Sequence, residues 1–354
     1  MTRTVVFRCN ANARVGLGHL MRCREMARVL KLRGWHSVIL GPPTSLQTAQ
    51  DMDLFIEWQE IPERGSDDQD CAIVLESCAR HEASLAVMDD YRITPTYQQR
   101  LMKAGIRWLQ QFDASLPFDY WCDLLVNASP YEKRSQYMRW LQRPEAQETL
   151  FGPAYAVLRP AFLTITPQPD TRDVRRILVA FGGGDDRGAI ALSLNALAGH
   201  LGNGITLVVV CGPANPNLAD ITARVSSLPG IELHVAPADM ASLMADCDLA
   251  LIAGGTMSYE AAICGVPMIF IGLAPNQERP CRGWTDRIGA PYLGDISVVS
   301  GTMVRNAVMK LIENADQRAA MSRAGRALVD GLGAERLVDA LLNLQSRQKD
   351  KVSQ

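Results

Sequence analysis

The sequence lacks the features that mark membrane and nucleic-acid-binding proteins. No apolar run among its 354 residues approaches the roughly 18 residues of a membrane span. Lys and Arg number 36 and Asp and Glu 38, a net charge of −2 without a concentrated basic run. A membrane or a nucleic acid as the main partner is therefore disfavoured. Because the chain enters its first strand without a leader segment, we expect a soluble, cytoplasmic protein.

Signatures of metal sites and disulfide frameworks are also missing. The nine cysteines are scattered, none forms Cys-x-x-Cys, and only five histidines accompany them. We therefore predict no metal site and no disulfides, but reduced and mostly buried cysteines. The length predicts two domains, each large enough to bury its own core.

What the sequence does contain is a regular alternation of apolar strand segments and helical segments. Strands are predicted at residues 5–7, 37–40, 85–88, 106–109, 124–127, 176–181, 205–210, 231–235, 249–252 and 268–271. Helices are predicted at 18–33, 97–104, 189–201, 218–225, 303–314, 317–329 and 335–345. This alternation predicts an α/β fold with parallel sheets covered on both faces.

A proline-rich polar stretch divides the two halves of this pattern. It predicts an N-terminal domain at 1–166, a linker at 167–172, a C-terminal domain at 173–348 and a disordered tail at 349–354.

The first strand leads into a glycine loop with an unusual histidine. Gly16 and Gly18 precede His19, which falls in the first turn of the following helix. The positive end of the helix should lower the pKa of His19 and keep the ring neutral, as a general base requires. A loop or packing residue is the alternative interpretation. Since Met21 stands where a third glycine would be needed, the loop is not a dinucleotide fingerprint.

The second half has two further glycine loops at strand ends. Residues 182–184 are followed by acids and lack Gly-Lys-Ser/Thr, so an ATP-binding P-loop is not supported. In the second loop, N–H groups beside Gly255 and a hydroxyl of Thr256 or Ser258 can hold a diphosphate. Glu260, one turn into the next helix, can accept hydrogen bonds from a ribose. The alternative is a plain turn followed by a solvated glutamate.

Asp89 and Asp90 end the strand at 85–88 and are expected near His19, since both lie at carboxyl ends of parallel strands. The side chains of adjacent residues on extended backbone point in opposite directions. We therefore do not expect Asp89 and Asp90 to form the carboxylate pair of a glycosidase.

Together these motifs resemble, in order and spacing, the nucleotide-sugar hydrolases of pseudaminic acid synthesis, which cleave UDP-2,4-diacetamido-2,4,6-trideoxy-β-L-altropyranose. The resemblance covers roughly residues 4–295. The motifs that carry it are residues 7–8, 16–22, 88–91, 112–113, 122–127, 152–159, 182–185, 215–218, 254–260 and 276–277.

The resemblance implies a glycosyltransferase-B-type fold, in which two Rossmann-like domains face each other across a cleft. The N-terminal domain would bind the sugar and the C-terminal domain UDP. His19 would activate the water that attacks the anomeric carbon and expels UDP with inversion, without metal or cofactor. The implied sugar-site residues are Gly16, Gly18, Arg22, Asp89, Tyr91, Tyr155 and Arg159. The implied nucleotide-site residues are Gly183, Gly184, Asp185, Gly255, Thr256, Ser258, Glu260, Asn276 and Gln277.

The sequence departs from the family pattern at two positions. Where the family often has Phe-Asp-Asp, this chain has Phe112-Asp113-Ala114, so Ala114 replaces the second aspartate. Where the family more often has Gly-Gly-Ser-Thr-Thr, residues 254–258 read Gly-Gly-Thr-Met-Ser, with Met257 in the fourth position. These departures leave the exact sugar open, and a related diacetamido sugar nucleotide is an alternative substrate. A transferase of the same fold and a non-catalytic nucleotide-sugar-binding protein are the competing functions. The sequence is silent on oligomeric state, for which a monomer is the working expectation.

Overall fold

The computed structural model describes residues 3–11, 17–61, 65–112, 118–168, 173–202 and 204–352. Gly16, Asp113, Ala114 and most of the predicted linker lie outside those ranges. The chain forms two compact units, unit 1 (residues 1–159 and 332–354) and unit 2 (residues 160–331).

Unit 1 contains a seven-stranded parallel sheet in the order β3-β2-β1-β4-β5-β6-β7 within its described residues. Its elements up to residue 159 are β1 (Thr4–Cys9), α1 (Gly18–Leu32), β2 (His36–Gly41), α2 (Asp51–Leu54), β3 (Glu57–Glu60), α3 (Asp67–Arg80), β4 (Leu85–Asp89), α4 (Pro95–Lys103), β5 (Arg107–Gln111), β6 (Leu124–Asn127), α5 (Arg134–Tyr137) and β7 (Glu148–Phe151). Short 3-10 helices lie at Thr44–Leu46, Met138–Trp140 and Pro153–Tyr155.

The two faces of this sheet carry separate apolar cores. Phe7, Val87 and Leu109 pack on one face with α1, whereas Val6, Met88 and Trp108 pack on the other with α3 and α4. Strand residues alternate between faces, so a strand buried on both sides is apolar along its whole length. The interior strands β1, β4 and β6 are accordingly buried at every position.

Unit 2 contains a six-stranded parallel sheet in the order β10-β9-β8-β11-β12-β13 within its described residues. Its elements are α6 (Pro160–Leu163), β8 (Arg176–Ala180), α7 (Ala189–Leu197), β9 (Thr206–Cys211), α8 (Leu218–Ser227), β10 (Ile231–Val235), α9 (Met240–Ala245), β11 (Leu249–Ile252), α10 (Met257–Cys264), β12 (Met268–Gly272), a 3-10 helix (Pro275–Gln277), α11 (Glu278–Ile288), β13 (Tyr292–Asp295), α12 (Gly301–Glu313) and α13 (Ala315–Leu328).

The last helix, α14 (Gly333–Val352), returns to unit 1. Leu337, Leu341 and Leu344 are buried in the core beneath α1. This differs from the predicted boundary at residue 348, because the apolar face of the helix completes the first core and not the second. The tail predicted at 349–354 differs too, since the backbone is helical to Val352.

All nine cysteines lie in described ranges, and all are buried, as predicted. No helix within the described ranges combines the length and apolar character needed to cross a membrane.

Candidate functional site

His19 lies in the first turn of α1 and is 4% exposed. Its Nδ1 is 2.6 Å from Oδ1 of Asp89 and 3.0 Å from the backbone carbonyl oxygen of Asp89. Because both neighbours are hydrogen-bond acceptors, the ring carries its hydrogen on Nδ1. In the neutral ring the lone pair is then on Nε2, which is the arrangement a general base needs.

Asp89, the last residue of β4, holds His19 in this tautomer. Burial alone would raise the pKa of Asp89, but Arg22 and His19 outweigh burial and lower that pKa to about 2. The carboxylate is therefore ionised at neutral pH. Its charge stabilises a positive His19 ring, an influence opposite in sign to that of the helix start. The sequence argument included only the helix.

Arg22 is bound to the same carboxylate. Its Nε donates to Oδ2 of Asp89 at 3.0 Å and its Nη2 to Oδ1 at 2.8 Å. Arg22 lies one turn after His19 on α1, so one helical face presents both groups to the end of β4. The structure thus gives Arg22 a positioning role toward Asp89, and its predicted contact with the sugar stays a prediction.

Tyr91 is the third predicted residue that the structure brings to His19. The two ring centroids lie 4.7 Å apart with an interplanar angle of 81°. Such an edge-to-face contact fixes the plane of the imidazole. Tyr91 is 42% exposed, so part of its ring is accessible to a ligand. Gly18 is also exposed, and among the described residues no side chain or distant backbone atom lies within 4 Å of a Cβ built on it.

This cluster occupies the point where the strand order of the sheet reverses. β1 and β4 are neighbours, although they are not consecutive in the chain. α1, which follows β1, packs on one face, and α4, which follows β4, packs on the other. The divergence of the two helices opens a crevice beyond the carboxyl ends of the strands, where ligands of such sheets bind.

Asp90 points to the opposite face from Asp89, as predicted. Its Oδ2 lies 3.4 Å from Nη2 of Arg8 and 2.6 Å from Nη2 of Arg92. Burial opposes ionisation, but Arg92 and Arg8 prevail and lower the pKa of Asp90. The two carboxylates therefore have different partners and do not form a glycosidase pair.

A buried ion network lies beside the site and was not predicted from the sequence. Arg8, which is 2% exposed, donates to Asp70 from Nε at 3.0 Å and from Nη2 at 2.7 Å. The hydroxyl of Tyr97 donates to Asp70 at 2.9 Å. A charged residue inside an apolar strand was the available signal, since a buried charge requires a partner.

The predicted sugar contacts of Tyr155 and Arg159 stay predictions. Tyr155 follows β7, the edge strand three places from β4 in the sheet. It packs against the core below α1 and lines a groove with Arg336 and Asp339 of α14.

In unit 2 the predicted loops again follow the two strands at the reversal, β8 and β11. Gly183, Gly184 and Asp185 are exposed after β8. Gly212, which follows β9, approaches this loop closely: a Cβ built on Gly212 would lie 1.9 Å from the carbonyl oxygen of Gly183. Asp185 accepts a hydrogen bond from the Arg187 N–H at 2.8 Å and so shapes its own loop.

The loop after β11 presents backbone N–H groups at the start of α10. The N–H of Tyr259 donates to the carbonyl of Thr256 at 3.1 Å, and that of Ser258 to Gly255 at 3.1 Å. Within the described chain no acceptor takes the N–H groups of Thr256 and Met257, as expected for a helix start. Thr256 is exposed, and a Cβ on Gly255 would meet open space. This geometry suits an anion.

Ser258 has partners inside the protein. Its hydroxyl donates to the carbonyl of Gly255 at 2.7 Å and accepts from Nε1 of Trp284 at 2.9 Å. Ser258 is 1% exposed, so it supports the loop from below. Of the two hydroxyls predicted to meet a diphosphate, that of Thr256 is the accessible one.

Glu260 lies in the first turn of α10 and is 8% exposed, so it is not a solvated helix residue. Gln277 accepts a hydrogen bond from the Leu273 N–H at 2.9 Å, which ties the turn after β12. That turn reaches the glycine loop, because a Cβ built on Gly254 would lie 3.1 Å from the carbonyl oxygen of Gln277. Asn276 is exposed beside it.

No group of three His, Cys, Asp or Glu side chains in the described residues is arranged to hold a metal ion. His19 with its carboxylate and the helix start of α10 are the candidate groups of the two units.

Sequence comparisons match parts of the chain to a family model and to two microbial proteins. A family model described as Lipid-A-disaccharide synthetase matches residues 204–272. The chain is 30% identical over 200 residues to the spore coat polysaccharide biosynthesis protein SpsG of Bacillus subtilis strain 168, covering 56% of this chain and 59% of SpsG. It is 25% identical over 281 residues to the uncharacterized protein MJ1062 of Methanocaldococcus jannaschii, covering 74% of this chain and 54% of MJ1062. The chain thus spans little more than half the length of either relative.

Solved structures share the fold over nearly the whole chain. MurG of Acinetobacter baumannii has a TM-score of 0.67 at 15% identity, covering 96% of this chain and 99% of MurG. The calicheamicin glycosyltransferase CalG4 has a TM-score of 0.64 at 15% identity, covering 98% of this chain and 99% of CalG4. The fold is of the glycosyltransferase-B type. The predicted fold class of two Rossmann-like parallel-sheet domains is confirmed.

Proposed function

We propose that this protein is an enzyme that acts on a nucleotide sugar in the biosynthesis of a polysaccharide or a related sugar. The similarity to SpsG supports the biosynthetic setting. Both units have their candidate residues at the strand reversal, where ligands of such folds bind.

Within this class we propose a hydrolase of a UDP-linked 2,4-diacetamido-2,4,6-trideoxy hexose, in nonulosonic (pseudaminic) acid biosynthesis. The observation that carries this proposal is the 2.6 Å contact between Nδ1 of His19 and Asp89. It makes Nε2 the basic nitrogen. A water molecule is the smallest nucleophile that such a base can activate, and the resemblance of the motifs to the pseudaminic hydrolases favours water as acceptor.

The proposed step consumes one water molecule. Nε2 of His19 takes a proton from water while the water oxygen bonds to the anomeric carbon. The bond between that carbon and the diphosphate oxygen breaks, and UDP leaves with the bonding electrons. Attack opposite to the leaving group inverts the configuration. Asp89 stabilises the positive His19 ring that results, and general base catalysis of this kind contributes about 10²–10⁴-fold.

Unit 2 is proposed to bind the nucleotide. The N–H groups of Thr256 and Met257 would meet the diphosphate and stabilise the charge that develops on it. Glu260 would accept hydrogen bonds from the ribose hydroxyls. Gly183, Gly184, Asp185, Asn276 and Gln277 are proposed to line the same site.

The test uses UDP-, CDP- and GDP-linked diacetamido sugars, with nucleotide release followed in the presence and absence of added acceptors. We expect UDP release without acceptor, and a free sugar of inverted configuration by NMR. His19→Asn should lower the release rate at least 100-fold and leave UDP affinity unchanged, whereas Glu260→Ala should mainly raise KM.

His36→Asn is the matched control, because His36 is an exposed histidine of the same unit at the start of β2. It should behave as wild type. Equal turnover by wild type and His19→Asn would refute the role of His19. Nucleotide release only in the presence of an added acceptor would identify a transferase. Binding of the sugar nucleotide without nucleotide release under any condition would identify a non-catalytic binding protein.

A further inference from the structure

A buried amide beside the His19 cluster has no role in the mechanism above. Strand β5 runs to Gln111, two residues beyond the predicted strand end. Gln111 is 7% exposed, and it lies at the carboxyl end of the strand next to β4. It therefore belongs to the edge of the sheet where the proposed sugar site lies.

The strand register places Gln111 on the same face as Asp89. β4 and β5 pair Val87 with Leu109 and Met88 with Gln110, so the next pair along the ladder is Asp89 with Gln111. Val87 and Leu109, two residues earlier, both lie in the core beneath α1. Neighbouring strands are about 4.8 Å apart. The Gln111 side chain thus starts one strand away from the carboxylate that holds His19.

The side-chain amide of Gln111 has no hydrogen-bond partner among the residues that the structure describes. Within the ranges that the structure describes, no donor or acceptor contacts its side-chain atoms, and these atoms are not among the polar atoms sealed from solvent. A polar group in so buried a residue is unfavourable unless a water or ligand bonds to it. The end of this side chain is therefore reached by solvent and has no partner among the described residues.

We propose that Gln111 binds an acetamido substituent of the sugar and selects N-acetylated substrates. This inference rests on the proposed function. The side-chain N–H₂ would donate to the acetamido carbonyl, and the side-chain carbonyl would accept from the acetamido N–H. A primary amide matches a secondary amide in this way at both atoms, whereas a sugar hydroxyl can use one of them at a time.

Gln110 provides a matched control, since it is the same residue on the opposite face of the same strand. It is 2% exposed, its Nε2 donates to the Gln111 carbonyl at 3.5 Å, and its Oε1 is sealed from solvent. Methionine has the length of glutamine without its hydrogen-bonding atoms. Gln111→Met and Gln110→Met therefore make the same chemical change on the two faces.

The experiment measures Kd for UDP and for the intact UDP-diacetamido sugar by calorimetry, with His19→Asn present in every protein to prevent turnover. Analogues with hydroxyls in place of one or both acetamido groups complete the set. We expect Gln111→Met to weaken binding of the diacetamido sugar about tenfold and to leave UDP binding unchanged. The Gln111→Met variant should bind the hydroxyl analogues with the same Kd as the His19→Asn protein. Gln110→Met should leave the Kd for UDP and the Kd for the diacetamido sugar unchanged.

An unchanged Kd of Gln111→Met for the diacetamido sugar would overturn the proposal, as would equal weakening of the sugar and its hydroxyl analogues. Unchanged binding of the hydroxyl analogues shows that unit 1 of each variant, where both glutamines lie, is folded. The outcome is separable from that of the proposed hydrolysis, because binding is measured without turnover. A wild-type protein that discriminates acetamido from hydroxyl sugars through Gln111 but releases no UDP would refute the hydrolase alone.

Discussion

His19 can act as a base only while Asp89 holds a hydrogen on Nδ1. An asparagine at position 89 keeps the size of the side chain, but its N–H₂ group can face Nδ1 and place the ring hydrogen on Nε2. We therefore expect Asp89→Asn to lower the rate of nucleotide release about 10²–10⁴-fold with little effect on UDP affinity. Single-turnover measurement of UDP release tests this. Wild-type turnover by the variant would show that the contact is structural only.

The same carboxylate should make stability depend on pH. The pKa of Asp89 is lowered from 3.8 to about 2, so the folded protein keeps the charge where the unfolded chain is protonated. The stabilisation is complete above about pH 4 and is lost as the pH falls through 2. The difference in free energy of unfolding between wild type and Asp89→Asn should shrink by about 1 kcal/mol between pH 6 and pH 3. Urea unfolding at both pH values measures it, and a constant difference would contradict the assignment.

At the scale of elements, the interior strands were predictable because burial on both faces makes them continuous apolar runs. The edge strands β3, β7 and β13 were missed, since each has partly exposed positions and too few consecutive apolar residues. The glycine loops and His19 were found because strand, loop and helix are consecutive in the chain. Gln111 and the Arg8–Asp70 pair were not, because their partners are set by the register between strands and helices distant in sequence.

The loop after β11 offers two adjacent glycines with different surroundings. A Cβ on Gly254 would lie 2.4 Å from Sγ of Cys281, whereas a Cβ on Gly255 would have no atom of the described residues, its chain neighbours aside, within 4 Å. Gly254→Ala should therefore destabilise the protein, by about 1–3 kcal/mol. Gly255→Ala should keep the stability but weaken UDP binding, since the added methyl group occupies the space proposed for the diphosphate. Thermal unfolding and calorimetry separate the two effects, and equal destabilisation by both changes would contradict this account.

At the scale of the whole molecule, the chain leaves unit 1 at residue 159 and returns to it at residue 332. The return is held by polar as well as apolar contacts. Arg336 donates to the carbonyl of Ala154 at 2.9 Å, and Arg107 to that of Leu344 at 3.1 Å. The last helix is therefore a part of the first core, and the stability of unit 1 depends on the C-terminal end of the sequence.

This dependence predicts where the effect of a mutation in α14 will appear. Leu341 is fully buried beneath α1, so Leu341→Ala should cost about 2–5 kcal/mol. Leu32→Ala at the end of α1 is the control, because Leu32 is 74% exposed. Hydrogen exchange should show lost protection in β1, β4 and β5 for Leu341→Ala, unchanged protection in β8 and β11, and no change for Leu32→Ala. Lost protection in unit 2 with unit 1 intact would instead place α14 with the second core, as the sequence pattern alone suggested.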